Sequence, residues 1–359
     1  MTAVISYFQR GNPVLVGDLL LSGNEPDTPA CLPTTGSVEN VFPQGSGFVP
    51  VGLVQKIDLI TNYFAVAWSG SQIEARTVIS EIRDQSGRWS WNPDDVETSI
   101  VRIVEASGAG NLSLLWLLFD GKQVFQNGFE AIGRSTEKKG FGRILGIGSK
   151  SALEHFDNLM DFVCATLTTN ETNHPALVSG LVTAAAFSSR ELANPNVLTQ
   201  YFGGGFEVLV LADNRFQKLD DFVLVTWDAE EDGQGGYKLS VPYYFQRHLY
   251  CGDILVIRAA KLEATAANSA KYAPMTFYAP PAARGVSREE LESLPRIEIS
   301  ASLICNIIQL KTRSGRVELL LRANRWATQE PQMTISEHDG EIRVEARADY
   351  LATLINSPS

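Results

Sequence analysis

Long apolar runs are missing from this 359-residue chain. The run from Leu112 to Phe119 has strand length and falls far short of the eighteen or so residues of a membrane-spanning helix, so no such helix is expected. The first residues, Met1-Thr-Ala-Val-Ile-Ser6, show no basic segment followed by an apolar one, so no secretory leader is expected either. Cysteine is scarce: Cys31, Cys164, Cys251 and Cys305 are scattered and form no CxxC pair. They read as buried thiols of a reducing, cytoplasmic compartment, which excludes a disulfide scaffold and a zinc site. Histidine is equally thin, and His155, His174, His248 and His338 are isolated from one another. No HExxH or Walker A motif occurs, and Gly140 to Gly148 does not complete a dinucleotide fingerprint, so neither metal nor cofactor is expected. Positive charge is also in deficit, with 30 basic against 41 acidic residues and a net charge of -11. Nucleic acids and anionic membranes need a basic surface, so neither is an expected partner, and Glu137-Lys138-Lys139 is too short to change that. No internal repeat or low-complexity tract is present.

What is there is an ordinary globular composition, 44% hydrophobic and 20% charged, long enough for about two domains. Residues 3 to 9 and 14 to 21 are β-rich runs on either side of an Arg10 to Asn12 turn, which predicts a hairpin. Gly23 to Gly52, with five prolines, reads as a long irregular insertion of the kind that is often functional. A second strand pair is predicted at 54 to 60 and 63 to 69. Ser71 then caps a helix over 72 to 83 whose face is Ile73, Val78, Ile79 and Ile82. Pro93-Asp-Asp95 opens another helix with Val96, Ile100, Ile103 and Val104 on its apolar face. Strands follow at about 112 to 119, 122 to 126 and 143 to 147, then a helix from Gly148-Ser149 to about Thr168. A further helix at 175 to 192 has its stripe at Leu177, Leu181, Ala184 and Ala185. Strands return at 206 to 211 and 221 to 227, and Asp228 to Gly236 is a Gly-rich candidate boundary. Beyond it the chain is mostly strand-like and ends in a short helix at about 347 to 355. Helices in consecutive pairs between strand groups predict an α+β fold, with two stacked sheets and a helical layer on each outer face. A doubly wound sheet would alternate single strands and helices.

Thr2 follows the initiator Met, and a small second residue permits Met1 removal. Removal would put an α-amine, with its ordinary pKa of about 8, on the residue that carries a hydroxyl; an amine of that basicity can activate the hydroxyl as a nucleophile. Taken alone, Thr2 is equally a merely permissive second residue. Folding the hairpin returns Asp18 to within about two residues of Thr2 on the partner strand. Asp18 stands out in Val14-Leu-Val-Gly-Asp-Leu-Leu-Leu21, because a carboxylate in such a run needs a partner. Lys56, at the head of the next strand pair, supplies a cation that would favour deprotonation of Thr2, and an ordinary buried ion pair is the other reading. Ser69-Gly70-Ser71 joins a strand to a helix start, where the amide either faces an oxyanion or is part of a simple tight connection.

Together these residues resemble the proteasome β-subunit family of N-terminal nucleophile hydrolases. The matching pieces are Thr2-Ala-Val-Ile-Ser-Tyr-Phe8, Gly11-Asn-Pro-Val-Leu-Val-Gly-Asp18, Ser22-Gly23, Val54-Gln-Lys56-Ile-Asp-Leu-Ile60, Ala67-Trp-Ser-Gly70 and Ile147-Gly-Ser149. The resemblance implies a four-layer αββα sandwich over residues 1–229, with a β-rich C-terminal domain of unknown role at 230–359. It implies a threonine-dependent amide or peptide hydrolase with Thr2 as nucleophile, Asp18 and Lys56 as its charged pair, Gly70 as oxyanion donor and Ser149 helping to hold the amine. It implies a peptide or protein substrate, a homo-oligomeric ring or spiral, and an unfoldase or accessory partner. The sequence departs from the family pattern in three places. Leu20 replaces an arginine, the insertion after Gly23 lengthens a short link, and the family's second aspartate has no clear counterpart, Glu191 standing nearby in Ser188-Ser-Arg-Glu191. A catalytically silent scaffold of the same fold and an amidase for a small non-peptide amide are the alternatives.

Overall fold

The computed structural model describes residues 2–24, 30–43, 45–134, 142–150, 153–154, 157, 175–200, 202–232, 236–261, 269–271, 275–295, 301–315, 317–325, 333–338 and 341–356. The chain is mixed α and β. Its strands are β1 (Ala3–Gln9), β2 (Asn12–Asp18), β3 (Leu20–Asn24), β4 (Cys31–Leu32), β5 (Gly36–Ser37), β6 (Phe48–Leu53), β7 (Ile57–Thr61) and β8 (Phe64–Gly70), followed by helices α1 (Gln72–Ser86) and α2 (Pro93–Ser107). Next come β9 (Leu112–Phe119), β10 (Val124–Phe129), β11 (Ile132–Arg134), β12 (Ile144–Gly148), helix α3 (Pro175–Ala193), β13 (Phe206–Ala212) and β14 (Arg215–Lys218). The C-terminal part holds β15 (Phe222–Glu231), β16 (Tyr237–Cys251), β17 (Ile254–Lys261), β18 (Ser269–Lys271), β19 (Met275–Ala279), β20 (Leu303–Lys311), β21 (Val317–Arg325), β22 (Met333–His338) and β23 (Glu341–Ala346). Short helices occupy Arg288–Glu292 and Ala348–Asn356.

The first hairpin turns on two residues, Arg10 and Gly11, both with positive φ, as a tight β-hairpin whose turn twists with its strands requires. It sits in the middle of a six-stranded antiparallel sheet ordered β11-β12-β1-β2-β13-β14. A second sheet is ordered β10-β9-β8-β7. Alternation along the strands sends Val4, Leu15, Leu145 and Leu209 of the first sheet against Ala65, Ala67, Leu115 and Leu117 of the second, in one buried cluster. The other face of the second sheet (Val66, Trp68, Leu114, Trp116) is covered by Val78, Ile79 and Ile82 of α1 and Val96, Ile100, Ile103 and Val104 of α2. Ser71 caps α1 by accepting from the Glu74 N–H, and Asn92 caps α2. The other face of the first sheet (Ala3, Ile5, Tyr7, Val14, Val16) receives α3.

Several expectations are corrected. Ile73 is 80% exposed and does not share the α1 core face, because at the helical period it falls on the side opposite Ala75, Val78, Ile79 and Ile82. The apolar run 14 to 21 does not continue as one strand: β2 ends at Asp18, and β3 pairs instead with β6, so the insertion after Gly23 contains a ribbon and the small β4-β5 pair. Its residues 25–29 and 44 lie outside the described residues. The 229/230 boundary falls inside β15, a central strand of the C-terminal sheet β19-β17-β16-β15-β20-β21, so that sheet begins at Phe222. The candidate boundary at Asp228 to Gly236 is not one at its start: Asp228 to Glu231 continue β15, which pairs antiparallel with β16, and residues 233–235 lie outside the described residues. Cys31 is exposed, whereas Cys305 is buried. Most of the helix expected from Ser149 to Thr168, with Cys164, lies outside the described residues, and so does Glu137-Lys138-Lys139.

The outer layer beyond α3 differs most. From Ser179 to Ser189 every α3 residue is buried. A helix that is buried all round has covering on both sides, and here the second cover is the C-terminal sheet, through Phe222, Leu224, Leu303, Cys305, Ile307 and Leu321. The far side of that sheet in turn packs on Met333 of β22 and on Tyr350 and Leu354 of the last helix. Among the described residues no helix is long and apolar enough to cross a membrane.

Candidate functional site

The hairpin register sets Val4 opposite Gly17, which brings Asp18 across from Ala3, next to Thr2. Asp18 is fully buried and its charge is met by three main-chain donors. The Ala3 N–H donates to Oδ1 at 2.9 Å, and the N–H groups of Leu20 and Gly203 donate to Oδ2, each at 3.2 Å. Burial pushes its pKa up to about 6, against the Lys56 charge and those N–H groups, which favour the carboxylate. Leu20, where the resemblance calls for an arginine, is buried in an apolar cluster with Leu32 and Leu53.

Lys56 is buried beside this pair. Gly17 makes room for it: a Cβ there would stand 3.3 Å from the Lys56 Cβ. The Lys56 ammonium lies 4.2 Å from the centre of the Trp68 ring, and the charges of Asp18 and Glu207 favour its protonated form. Burial is the larger effect and lowers its pKa to about 8. The strand is locked by Glu207, whose Oε1 accepts from the N–H groups of both Lys56 and Ile57, while Oε2 accepts from Lys218 at 2.8 Å and Tyr250 at 3.1 Å.

Thr2 is 1% exposed, and its side-chain oxygen has no hydrogen-bond partner among the described residues. Its carbonyl is pinned by the Ser149 N–H at 3.2 Å. Gly148, at φ +130°, allows that approach, because a Cβ there would lie 1.7 Å from the Thr2 oxygen. Gly70 plays the same part at the end of β8: at φ +106° its Cβ position would meet the Asn111 carbonyl at 2.1 Å. Thus Asp18 and Ser149 meet the start of β1, Lys56 lies against Gly17 within charge range of Asp18, and Gly70 closes the strand that carries Trp68.

Glu207 had no role in the sequence reading, and Glu191 entered it only as an acid near the missing aspartate. Glu207 interrupts the apolar strand Phe206-Glu-Val-Leu-Val210, and that interruption was the available signal. Glu191 sits in a helix otherwise rich in Ala and Ser. It does not reach Thr2 directly. Its Oε2 accepts from the Gly204 N–H at 3.0 Å, one residue from the Gly203 N–H that holds Asp18, and its Oε1 accepts from the Thr34 hydroxyl of the insertion. Burial raises its pKa to about 7, and the nearby Asp18 charge adds to the rise. The C-terminal sheet reaches the same loop. Gln246 lies against Gly205, accepts from Tyr244 at 2.7 Å, and meets Nε2 of His248 at 2.7 Å. His248 is stacked on Phe222, and burial lowers its pKa to about 3. The described residues hold no group of three or more His, Cys, Asp or Glu placed to bind a metal ion. No family model matches the chain, and no curated protein matches it.

Proposed function

We propose that the chain is an N-terminal threonine hydrolase of amide or peptide bonds, built on a proteasome-like αββα sandwich over its N-terminal part. The observation that carries this reading is the buried Asp18 carboxylate, bonded to the N–H that follows Thr2 and within charge range of the buried Lys56 ammonium. After loss of Met1, the Thr2 oxygen attacks the carbonyl carbon. The proton passes to the α-amine, directly or through a water, and then to the leaving amine as the C–N bond breaks. The negative oxygen of the tetrahedral intermediate is met by the Gly70 amide. Water then cleaves the acyl ester and restores the hydroxyl. Lys56 supports the deprotonated forms through its charge, and Asp18 keeps that charge in place. The resemblance also implies assembly into a ring or spiral, which size-exclusion chromatography with light scattering would register.

Intact mass of the purified protein gives the first test: loss of one methionine is expected. Thr2→Ala should then abolish turnover of a fluorogenic peptide and the mass adduct with a peptidyl boronate, while Thr2→Ser retains both. The 1% exposure of Thr2 favours a second reading, a silent scaffold in which no substrate reaches the residue. A retained Met1, or no turnover by the parent chain, decides for it; unchanged turnover in Thr2→Ala excludes Thr2 as the nucleophile.

A further inference from the structure

A cavity of about 650 Å³ opens at the end of β8 opposite Gly70, a strand length of about 20 Å away. Turns meet there: β7 to β8 contributes Tyr63, the loop before α2 contributes Trp91, β9 to β10 contributes Phe119 and Asp120, and the β13 to β14 hairpin contributes Asn214. Three aromatic rings and one carboxylate therefore face a common space, and no Lys, Arg or His is among the described residues that line it.

The rings are held in place. Tyr63, 52% exposed, tilts against Phe119 with centroids 6.3 Å apart. Trp91 has φ +58°, a conformation that a bulky residue keeps only when its surroundings impose it. The imposing groups are Phe64 and Trp89, which meet its ring edge-to-face at 5.7 and 6.0 Å. The Asp120 carboxylate is oriented by the N–H groups of Lys122 and Gln123, both at 2.8 Å, which hold its pKa below the usual carboxylate range. Ring faces attract cations through their quadrupole, and an adjacent carboxylate strengthens that preference. The exposed Lys122 ammonium is the nearest opposing charge. The volume exceeds what one small cation fills, and the Asn214 amide can pair with main-chain groups.

We propose that this cavity is a second binding site, one that takes the basic side chain of an arginine or lysine presented by a peptide segment. The site is independent of the Thr2 chemistry and would serve a hydrolase or a silent scaffold alike.

Calorimetric titration of the full chain with acetyl-Ala-Arg-Ala-amide tests it, with the citrulline peptide as the neutral counterpart. Saturable binding of the arginine peptide is expected, with the citrulline peptide about ten-fold weaker or more. Tyr63→Ala and Asp120→Asn should each weaken the arginine peptide by about five- to ten-fold with unchanged circular dichroism, and Lys122→Gln should leave it equal or tighter. Equal binding of the two peptides, no saturable heat with either, or indifference to Asp120→Asn overturns the proposal. Butylguanidinium binding as tightly as the peptide overturns its peptide part.

Discussion

Asp18 and Glu191 are buried acids held by neighbouring links of one loop, and each carries its charge against the cost of burial. Main-chain donors from Gly203 and Gly204 offset part of that cost without a full counter-ion. Both have pKa values above those of an unfolded chain, about 6 for Asp18 and about 7 for Glu191. The folded state therefore binds protons that the unfolded state has already released. The stability they contribute is complete below the unfolded values, near 4, and is lost as pH rises through about 6 and about 7. Glu191→Gln keeps an oxygen for the Gly204 N–H but cannot ionise. Its stability in urea should fall less than the parent's between pH 5 and pH 8, the remaining slope being set by the raised Asp18 and Asp58 and, in the opposite sense up to about pH 6.5, by the lowered His248. An unchanged slope would mean that Glu191 does not titrate in this range. Lys56 acts in the opposite direction in its own window: its folded value of about 8 lies below 10.5, so stability rises with pH between the two. Asp18 and Lys56 were legible because charge interrupts an apolar run or heads a strand. Glu191 was legible only as a nearby acid, since what it bonds is set by how the insertion and the glycine loop fold over it.

At the scale of elements, the strand ends do the positioning. β1, β2, β8 and β12 end within or beside the candidate site, and two of those ends are glycines whose missing Cβ lets another chain segment pass. Gly148→Ala should move the Thr2 carbonyl off the Ser149 N–H, because a methyl group cannot stand 1.7 Å from an oxygen. We expect a cost of about 1–3 kcal/mol in urea unfolding, together with lost turnover if Thr2 is the nucleophile. A substitution without either effect would show that this close approach is not required. The hairpin, both helices of the α1-α2 pair and the Ser71 cap were readable from period and turn chemistry, whereas the Asn92 cap came from the structure. The break after Asp18 was not readable. Val14 to Leu21 is apolar on both sides of Asp18, so nothing local tells the chain to leave one sheet at Leu19 and pair with Phe48–Leu53 in another.

For the whole molecule, the C-terminal sheet is part of the structure that holds α3. It covers the helix face that the first sheet leaves open, and its Gln246 touches the loop behind Asp18. A chain ending at Asp221 should therefore lose its sharp thermal transition and bind a hydrophobic dye, because a helix buried all round would be left with one apolar side in water. If the shortened chain melts as sharply as the full one without binding dye, the C-terminal sheet is an independent appendage.

The amino-acid order by itself determined the first hairpin, the strand pair at 54 to 69, and helices α1, α2 and α3, because side-chain period, capping and turn residues act within a few positions of each other. It also brought Asp18 to within about two residues of Thr2, since a short turn limits the register, while the turn type and the place of Lys56 were left to the fold. The tertiary structure alone decided that Glu207 locks the Lys56 strand, that Thr34 and Gly204 hold Glu191, and that β15 onward covers α3. Those are contacts between residues far apart along the chain, and their pairing follows from how buried surfaces fit, which no local pattern encodes.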